Sequence, residues 1–214
     1  MSQITIIDYG MGNLRSVAKA IEHVAPAGTR VVVSGSPVDV RAADRVVFPG
    51  QGAAADCMSE LRQRDLADVV LEVAADRPFL GICMGMQVLM AHSEENGGTE
   101  CLGLFPGAVR RFGDMTDAEG LRLKIPQVGW NGLMPTRAHP LFDGIEAGTR
   151  FYFVHSYHVV PEDESLVAAT TDYGIRYASA LVQDNVFALQ PHPEKSAAAG
   201  LRLLENFARW DGSA

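Results

Sequence analysis

The sequence has few cysteines, no surplus of positive charge and no long apolar run. Its three cysteines, Cys57, Cys83 and Cys101, cannot close a disulfide framework, and none lies two residues from another. A CxxC redox pair and a paired-cysteine zinc site are therefore absent. Acidic residues outnumber basic ones 26 to 18, for a formal net charge of −8, which argues against a nucleic-acid or anionic-membrane partner. No block of five or six like charges marks a charged tail. No stretch approaches the roughly 18 apolar residues that span a bilayer, and the N-terminal "MSQITIID" lacks the basic-then-apolar order of a signal peptide. Two glycine-rich fingerprints are also missing. In "DYGMGN" the third glycine position of G-x-G-x-x-G is Arg15, and no G-x-x-x-x-G-K-[ST] phosphate loop occurs. His155 and His158, three apart on an expected strand, face opposite sides and make poor joint metal ligands. The expectation is a soluble cytoplasmic protein with no cofactor and no metal.

What is present is a sizeable apolar fraction, 47% of 214 residues, enough for one core in a single domain. "ITIID" (4–8), "RVVV" (30–33), "RVVF" (45–48, cut off by Pro49-Gly50) and "PFLGI" (78–82) read as strands. "NLRSVAKAIEHV" (13–24) puts Leu14, Val17, Ala18, Ile21 and Val24 on one helical face with Asn13 at the N-cap position, and "LADVVLEVAAD" (66–76) is also helical. Strand–helix alternation with near-continuous apolar strands predicts a mainly parallel central sheet flanked by helices. The second half differs. "RFYFVHSYHVV" (150–160), "LVAATT" (166–171), "ASALVQ" (178–183) and "VFALQ" (186–190) are strands with little helix between them, hence antiparallel additions. "SAAAGLRLLENFARW" (196–210) closes the chain as a helix with Leu201, Leu204 and Phe207 inward. The polar stretch 113–124 reads as a mobile loop.

The most informative segment is "FLGICMGMQVLM" (79–90). Cys83 follows a strand, precedes a helical pattern running to His92, and is flanked two residues away by Gly81 and Gly85. Strand, G-x-C-x-G, helix is the layout of a nucleophile elbow. A helix N-terminus favours thiolate over thiol, and the Met84 N–H would point where an oxyanion forms. A small buried thiol packed in the core fits the same pattern, and on this motif alone the two readings weigh equally. A thiol nucleophile needs a base, and the base an orienting acceptor. "LQPHPEKS" (189–196) supplies His192 and Glu194, two apart on an extended, proline-stiffened strand end. A surface turn is the better reading of that motif in isolation; the two motifs together favour catalysis.

G-x-C-x-G after a strand with H-P-E near the C-terminus resembles the class I (triad) glutamine amidotransferases, whose sheet is flavodoxin-like. More narrowly, "IDYGMGNLRSV" (7–17), "FPGQGA" (48–53), "VGWN" (128–131), "YFVHSY" (152–157) and "HPEKS" (192–196) are similar to the glutaminase subunits of imidazole glycerol phosphate synthases. The matches run from residue 4 to about 207. The resemblance implies one amidotransferase domain over residues 1–214, hydrolysing glutamine to glutamate and ammonia. It implies Cys83 as nucleophile forming a glutamyl thioester, His192 as base and acid, and Glu194 orienting it. It implies an oxyanion strand at Gly50-Gln51-Gly52 working with Met84, and substrate contacts from Gln87 and the Ser156-Tyr157 segment. Trp130, Asn131, Tyr152 and Lys195 match positions facing the synthase (cyclase) partner, a (β/α)8 barrel in a heterodimer that receives the ammonia for histidine biosynthesis. Two departures stand out: Pro191 where an aromatic is common, with the prospect of a tilted His192, and Gln127 where histidine is frequent. An amidotransferase for another product, such as vitamin B6, and a non-catalytic regulatory protein remain open.

Overall fold

The computed structural model describes residues 2–117 and 119–213. The first half alternates as expected: β1 (Gln3–Ile7), α1 (Leu14–Val24), β2 (Arg30–Ser34), α2 (Pro37–Arg41), β3 (Arg45–Gly50), α3 (Ala54–Gln63), α4 (Ala67–Ala74), β4 (Phe79–Cys83) and α5 (Met84–Val88). Then come β5 (Met90–Ser93), β6 (Thr99–Glu100), β7 (Phe105–Arg111), β8 (Gln127–Gly132), β9 (Met134–Pro135), β10 (Arg150–His155), β11 (Tyr157–Pro161), β12 (Val167–Tyr173), β13 (Ile175–Gln183) and β14 (Val186–Leu189), before α6 (Ala197–Arg209) closes the chain.

The main sheet runs β2-β1-β3-β4-β14-β13-β11-β7-β5-β6, with β12 attached beside β13 and β9 beside β12. From β2 to β14 every pairing is parallel, and β14–β13, β13–β11 and β11–β7 are antiparallel. The expected parallel sheet with antiparallel additions is what forms. β8 and β10 make a separate antiparallel ribbon.

Period-two alternation sorts the strand residues onto two cores. Ile4, Ile6, Val47, Leu80 and Ile82 face α1 and α6, meeting Val17, Ile21, Leu204 and Phe207. Ile7, Val46, Phe48 and Phe79 face the other way, against Leu61 of α3 and Val70 and Val73 of α4. Each such fully buried side chain stabilises the fold by roughly 1.5–3 kcal/mol, so both faces are covered, as near-continuous apolar strands require.

Several expectations need correction. Pro49 and Gly50 do not cut β3 off; they stay in register with Ile82 and Cys83 of β4. The helix after Cys83 stops at Val88, because Met90–Ser93 is taken up as a strand beside β7. The run 150–160 is two strands in two sheets, broken at Ser156. That break turns both His155 and His158 onto the Phe112 ring, at centroid distances of 5.2 and 4.9 Å, instead of onto opposite faces. Asn13 sits at the N-cap of α1 but makes no side-chain capping bond. In α6 Leu203, not Leu201, is buried beside Leu204 and Phe207. Helices α2 and α3 were not anticipated. Within 113–124 an isolated bridge pairs Thr116 with Arg122, and Ala118 lies outside the described residues. No helix is long and apolar enough to cross a membrane, among the described residues.

Candidate active site

Three neighbouring strands, β3, β4 and β14, run parallel, so their C-terminal ends share one edge, where open α/β sheets gather their ligands. β3 ends at Gly50, β4 ends at Cys83, and β14 leads out to His192. The thiol and the imidazole, 109 positions apart in the chain, reach one cavity by this route.

Cys83 has φ 55° and ψ −110°, a combination that L-residues avoid at a cost of about 1–3 kcal/mol. The strained elbow expected from sequence is therefore present. The flanking glycines let backbone close in around it. A Cβ on Gly85 would collide with the Phe48 carbonyl of β3, and one on Gly50 would meet the Tyr9 hydroxyl, with Met84 Cβ at 2.9 Å and Gly85 N at 3.0 Å. Met84 opens α5, so its N–H has no partner one turn back in that helix.

His192 Nδ1 lies 2.9 Å from Glu194 Oε1, and the Glu194 side chain is almost fully buried. The geometry is not the strand end expected: His192 is extended, but Pro193–Lys195 is a 3₁₀ turn that brings the carboxylate back under the ring. Pro191 has not prevented the pairing. With Nδ1 engaged, Nε2 is left for Cys83. Burial pushes the imidazolium pKa down, but the nearby Cys83 sulfur and the hydrogen-bonded Glu194 carboxylate outweigh it, and the pKa rises from 6.5 to about 10. The His192 backbone is also secured. Its N–H donates to the Tyr152 carbonyl at 2.9 Å, Tyr152 N–H donates to Ser196 Oγ at 2.9 Å, and Ser196 Oγ donates to the His192 carbonyl at 2.6 Å.

The cavity has a volume of about 410 Å³; Cys83 and His192 line it together with Gln51, Gly52, Met84, Gln87, Ser156, Tyr157 and Lys195. A larger open groove of about 1080 Å³ beside Phe112, Lys124 and Tyr173 holds none of Cys83, His192 or Glu194, so size does not identify the site. Of the expected substrate-facing residues, Gly50 alone stands back from the cavity, packed against Met84 and Gly85. Gln87 donates to the Tyr157 carbonyl at 3.1 Å and to Gln190 Oε1 at 2.9 Å. Its own Oε1 is buried and finds no hydrogen-bond partner among the described residues. That leaves an unpaired buried acceptor on a residue that lines the cavity.

Trp130, Asn131 and Tyr152 lie on the β8–β10 ribbon and do not line the cavity, although Val154 and His155 of β10 do. Trp130 and Tyr152 are cross-strand partners with ring centroids 6.1 Å apart, and Lys195 Nζ stands 5.9 Å from the centre of the Tyr152 ring. Exposed Val128 and Val154 extend this face. Asn131 is committed internally: its amide donates to the Asp172 carbonyl at 2.9 Å, and its oxygen accepts from Gly132 N–H at 2.8 Å.

Two residues escaped the sequence reading. Glu95 lines the cavity while one of its oxygens accepts from Ala54 N–H at 2.7 Å; in "SEENGG" it is an ordinary acidic loop residue. Gln190 is fully buried, and its amide nitrogen lies 3.6 Å from the Cys83 sulfur. Its place two residues before His192 was the available signal.

Residues 5–210 match the family described as Glutamine amidotransferase class-I, and the chain belongs to that family of enzymes. Its relatives include proteins named imidazole glycerol phosphate synthase subunit HisH. The one from Aromatoleum aromaticum is 59% identical over 98% of this chain and 99% of its own length. That from Nitrosococcus oceani is 57% identical over 99% of each, and that from Pseudomonas putida 53% over 99% of each. Among solved structures, PurLQS from Thermotoga maritima aligns with a TM-score of 0.72 at 18% identity, covering 97% of this chain and 98% of that one. A second glutamine amidotransferase structure gives 0.70 at 17%, covering 97% and 99%. At these identities the structural likeness establishes the fold alone.

Proposed function

We propose that the protein hydrolyses glutamine to glutamate and ammonia and delivers the ammonia to a synthase subunit that makes imidazole glycerol phosphate and an aminoimidazole carboxamide ribotide in histidine biosynthesis. The observation that carries this reading is the meeting of Cys83 and the His192–Glu194 pair in one cavity at the C-terminal edge of the sheet. The naming of the full-length relatives as HisH subunits supports the choice of pathway.

In this reading Cys83 sulfur attacks the carboxamide carbon and His192 holds the displaced proton. Met84 N–H and the Gly50-Gln51-Gly52 strand take the oxyanion. His192 passes its proton to the departing nitrogen, ammonia leaves, and a glutamyl thioester remains on Cys83. Water, deprotonated by His192, then releases glutamate. Glu194 keeps the imidazole oriented throughout. The substrate's α-ammonium is received by acceptors: Gln87 Oε1 and the Glu95 carboxylate, both at the cavity. Backbone groups of Ser156 and Tyr157 take its α-carboxylate side.

Free ammonia in neutral water becomes ammonium, which has no lone pair for attack. An enclosed route into the partner keeps it nucleophilic. The β8–β10 ribbon is the face for that partner, a (β/α)8 barrel in a cytoplasmic heterodimer. It offers Trp130, Tyr152 and Lys195 beside exposed Val128 and Val154, with Asn131 shaping the ribbon end. Glutamate release by the purified chain, by itself and with the synthase partner, tests the proposal. The expected outcome is weak release from the chain by itself and a marked increase with the partner; no release in either case defeats it.

A further inference from the structure

A chain of neutral hydrogen bonds ends on the Cys83 sulfur, and its donor sense can be deduced. A backbone carbonyl only accepts, so the Gln87 atom 3.1 Å from the Tyr157 carbonyl is its NH₂ nitrogen. The same nitrogen lies 2.9 Å from one side-chain terminus of Gln190, which must then be the carbonyl oxygen. The other terminus of Gln190, 3.6 Å from Cys83 Sγ, is therefore its NH₂ group, aimed at the sulfur. Both amides are oriented by one unambiguous acceptor rather than by choice. Gln190 has no freedom to turn: it is fully buried, and its backbone N–H donates to the Ser179 carbonyl at 2.9 Å.

Resting on the glutaminase reading above, we propose that Gln190 is a further catalytic residue, whose side-chain N–H donates to the Cys83 sulfur and holds it as thiolate. A donor to the charged form favours that form. An amide adds something the imidazole does not. His192 gains and loses a proton twice per turnover, so its help to the sulfur comes and goes. Gln190 neither accepts nor releases a proton, and its donor persists when Cys83 attacks and when it departs from the thioester. Gln87 contributes by holding Gln190 in this sense while offering its own oxygen to the substrate.

The test measures pH-dependent alkylation of Cys83 by iodoacetamide, read by mass spectrometry of the Cys83 peptide, in the full chain and in Gln190→Glu and Gln190→Met. Gln190→Glu keeps the acceptor for Gln87 and replaces the donor with oxygen; Gln190→Met removes both at similar size. The expected result is a midpoint raised by about one pH unit in both variants, with kcat for glutamine down about tenfold and KM nearly unchanged. An unmoved alkylation midpoint in folded variants overturns the proposal, since a packing role alone leaves sulfur ionisation untouched. Should neither variant fold, the wild-type chain decides. The Gln190 side-chain amide proton resonance must shift at the same midpoint as Cys83 alkylation, and a static resonance overturns the assignment. If wild-type glutamine hydrolysis does not depend on Cys83, the functional reading fails, while the alkylation profile still judges Gln190.

Discussion

Gly50 stands opposite Cys83 in the parallel register of β3 and β4. The strand proposed to receive the oxyanion and the nucleophile are therefore placed by the same ladder of backbone hydrogen bonds. The fit is tight, because the Tyr9 hydroxyl, Met84 and Gly85 crowd the space where a Gly50 side chain would stand. Gly50→Ala should destabilise the protein by about 1–3 kcal/mol and depress glutamine hydrolysis further than that loss explains. Denaturant unfolding beside glutamate-release assays checks both. An alanine variant with unchanged stability would mean the crowding relaxes at little cost.

Cys83→Ala should abolish glutamine-dependent synthesis in the complex and leave ammonia-dependent synthesis intact, because only the sulfur is lost. Stability offers a sharper reading of the elbow. With φ at 55°, Cys83→Gly should be more stable than Cys83→Ala by about 1 kcal/mol. Thermal unfolding of the two inactive variants makes the comparison, and equal stability would argue that the elbow is unstrained.

Glu194→Gln retains an oxygen for His192 Nδ1 but removes the charge. The pKa of His192 stands raised to about 10, opposed by burial and driven by Cys83 and Glu194. Loss of the Glu194 charge lowers it, so the protonated imidazole needed for ammonia departure disappears at lower pH. The alkaline limb of kcat/KM should move down in pH; a limb that stays in place would exclude Glu194 from tuning His192. The linkage runs the same way. A raised histidine pKa stabilises the fold fully below the unfolded value of 6.5, and the contribution fades as pH climbs through about 10.

Three other histidines, His139, His155 and His158, act in the opposite sense, all lowered first by burial. Burial pushes His139 and His155 down to about 4, with Arg137 also lowering His139 and Asp143 opposing. Their unfolded forms bind protons below pH 6.5 while the folded forms do not, so stability should fall as pH drops from 6.5 to 4. His139 Nδ1 accepts from Leu141 N–H at 3.1 Å, a capping role that asparagine can fill. Melting temperature against pH should be flatter in His139→Asn than in wild type; an identical slope would remove His139 from the acid response.

Val128 is 58% exposed on the ribbon and takes no part in the cavity. Val128→Asp should weaken association with the synthase partner by about tenfold or more, since a charge is costly to desolvate at an interface core, and leave basal glutaminase activity unchanged. Titration by calorimetry reads the affinity. Undiminished binding would move the partner to another face.

Strands β1–β4 and β10–β14 were legible as apolar runs, β5–β9 were not, and the elbow was legible because Gly81, Cys83 and Gly85 sit at a strand end. Helix α3 was not, since "AADCMSELRQ" mixes alanine and charge with few apolar residues, and its face becomes clear only against Phe48 and Phe79. The break at Ser156 was hidden inside a run rich in β-branched and aromatic residues. The partnership of His192 and Glu194 was readable, but the 3₁₀ turn that achieves it was not. Glu95 and Gln190 matter through contacts with residues 41 and 107 positions away, distances at which local pattern carries no signal.

The bonds joining His192, Tyr152 and Ser196 make the β8–β10 ribbon and the imidazole one mechanical piece. β10 cannot slide or tilt without dragging the backbone of His192 or breaking bonds of 2.6–2.9 Å. Pressure on the outer surface of the ribbon thus reaches the proton carrier through one main-chain bond and the Ser196 hydroxyl, a lever that operates whichever side chains line the contact.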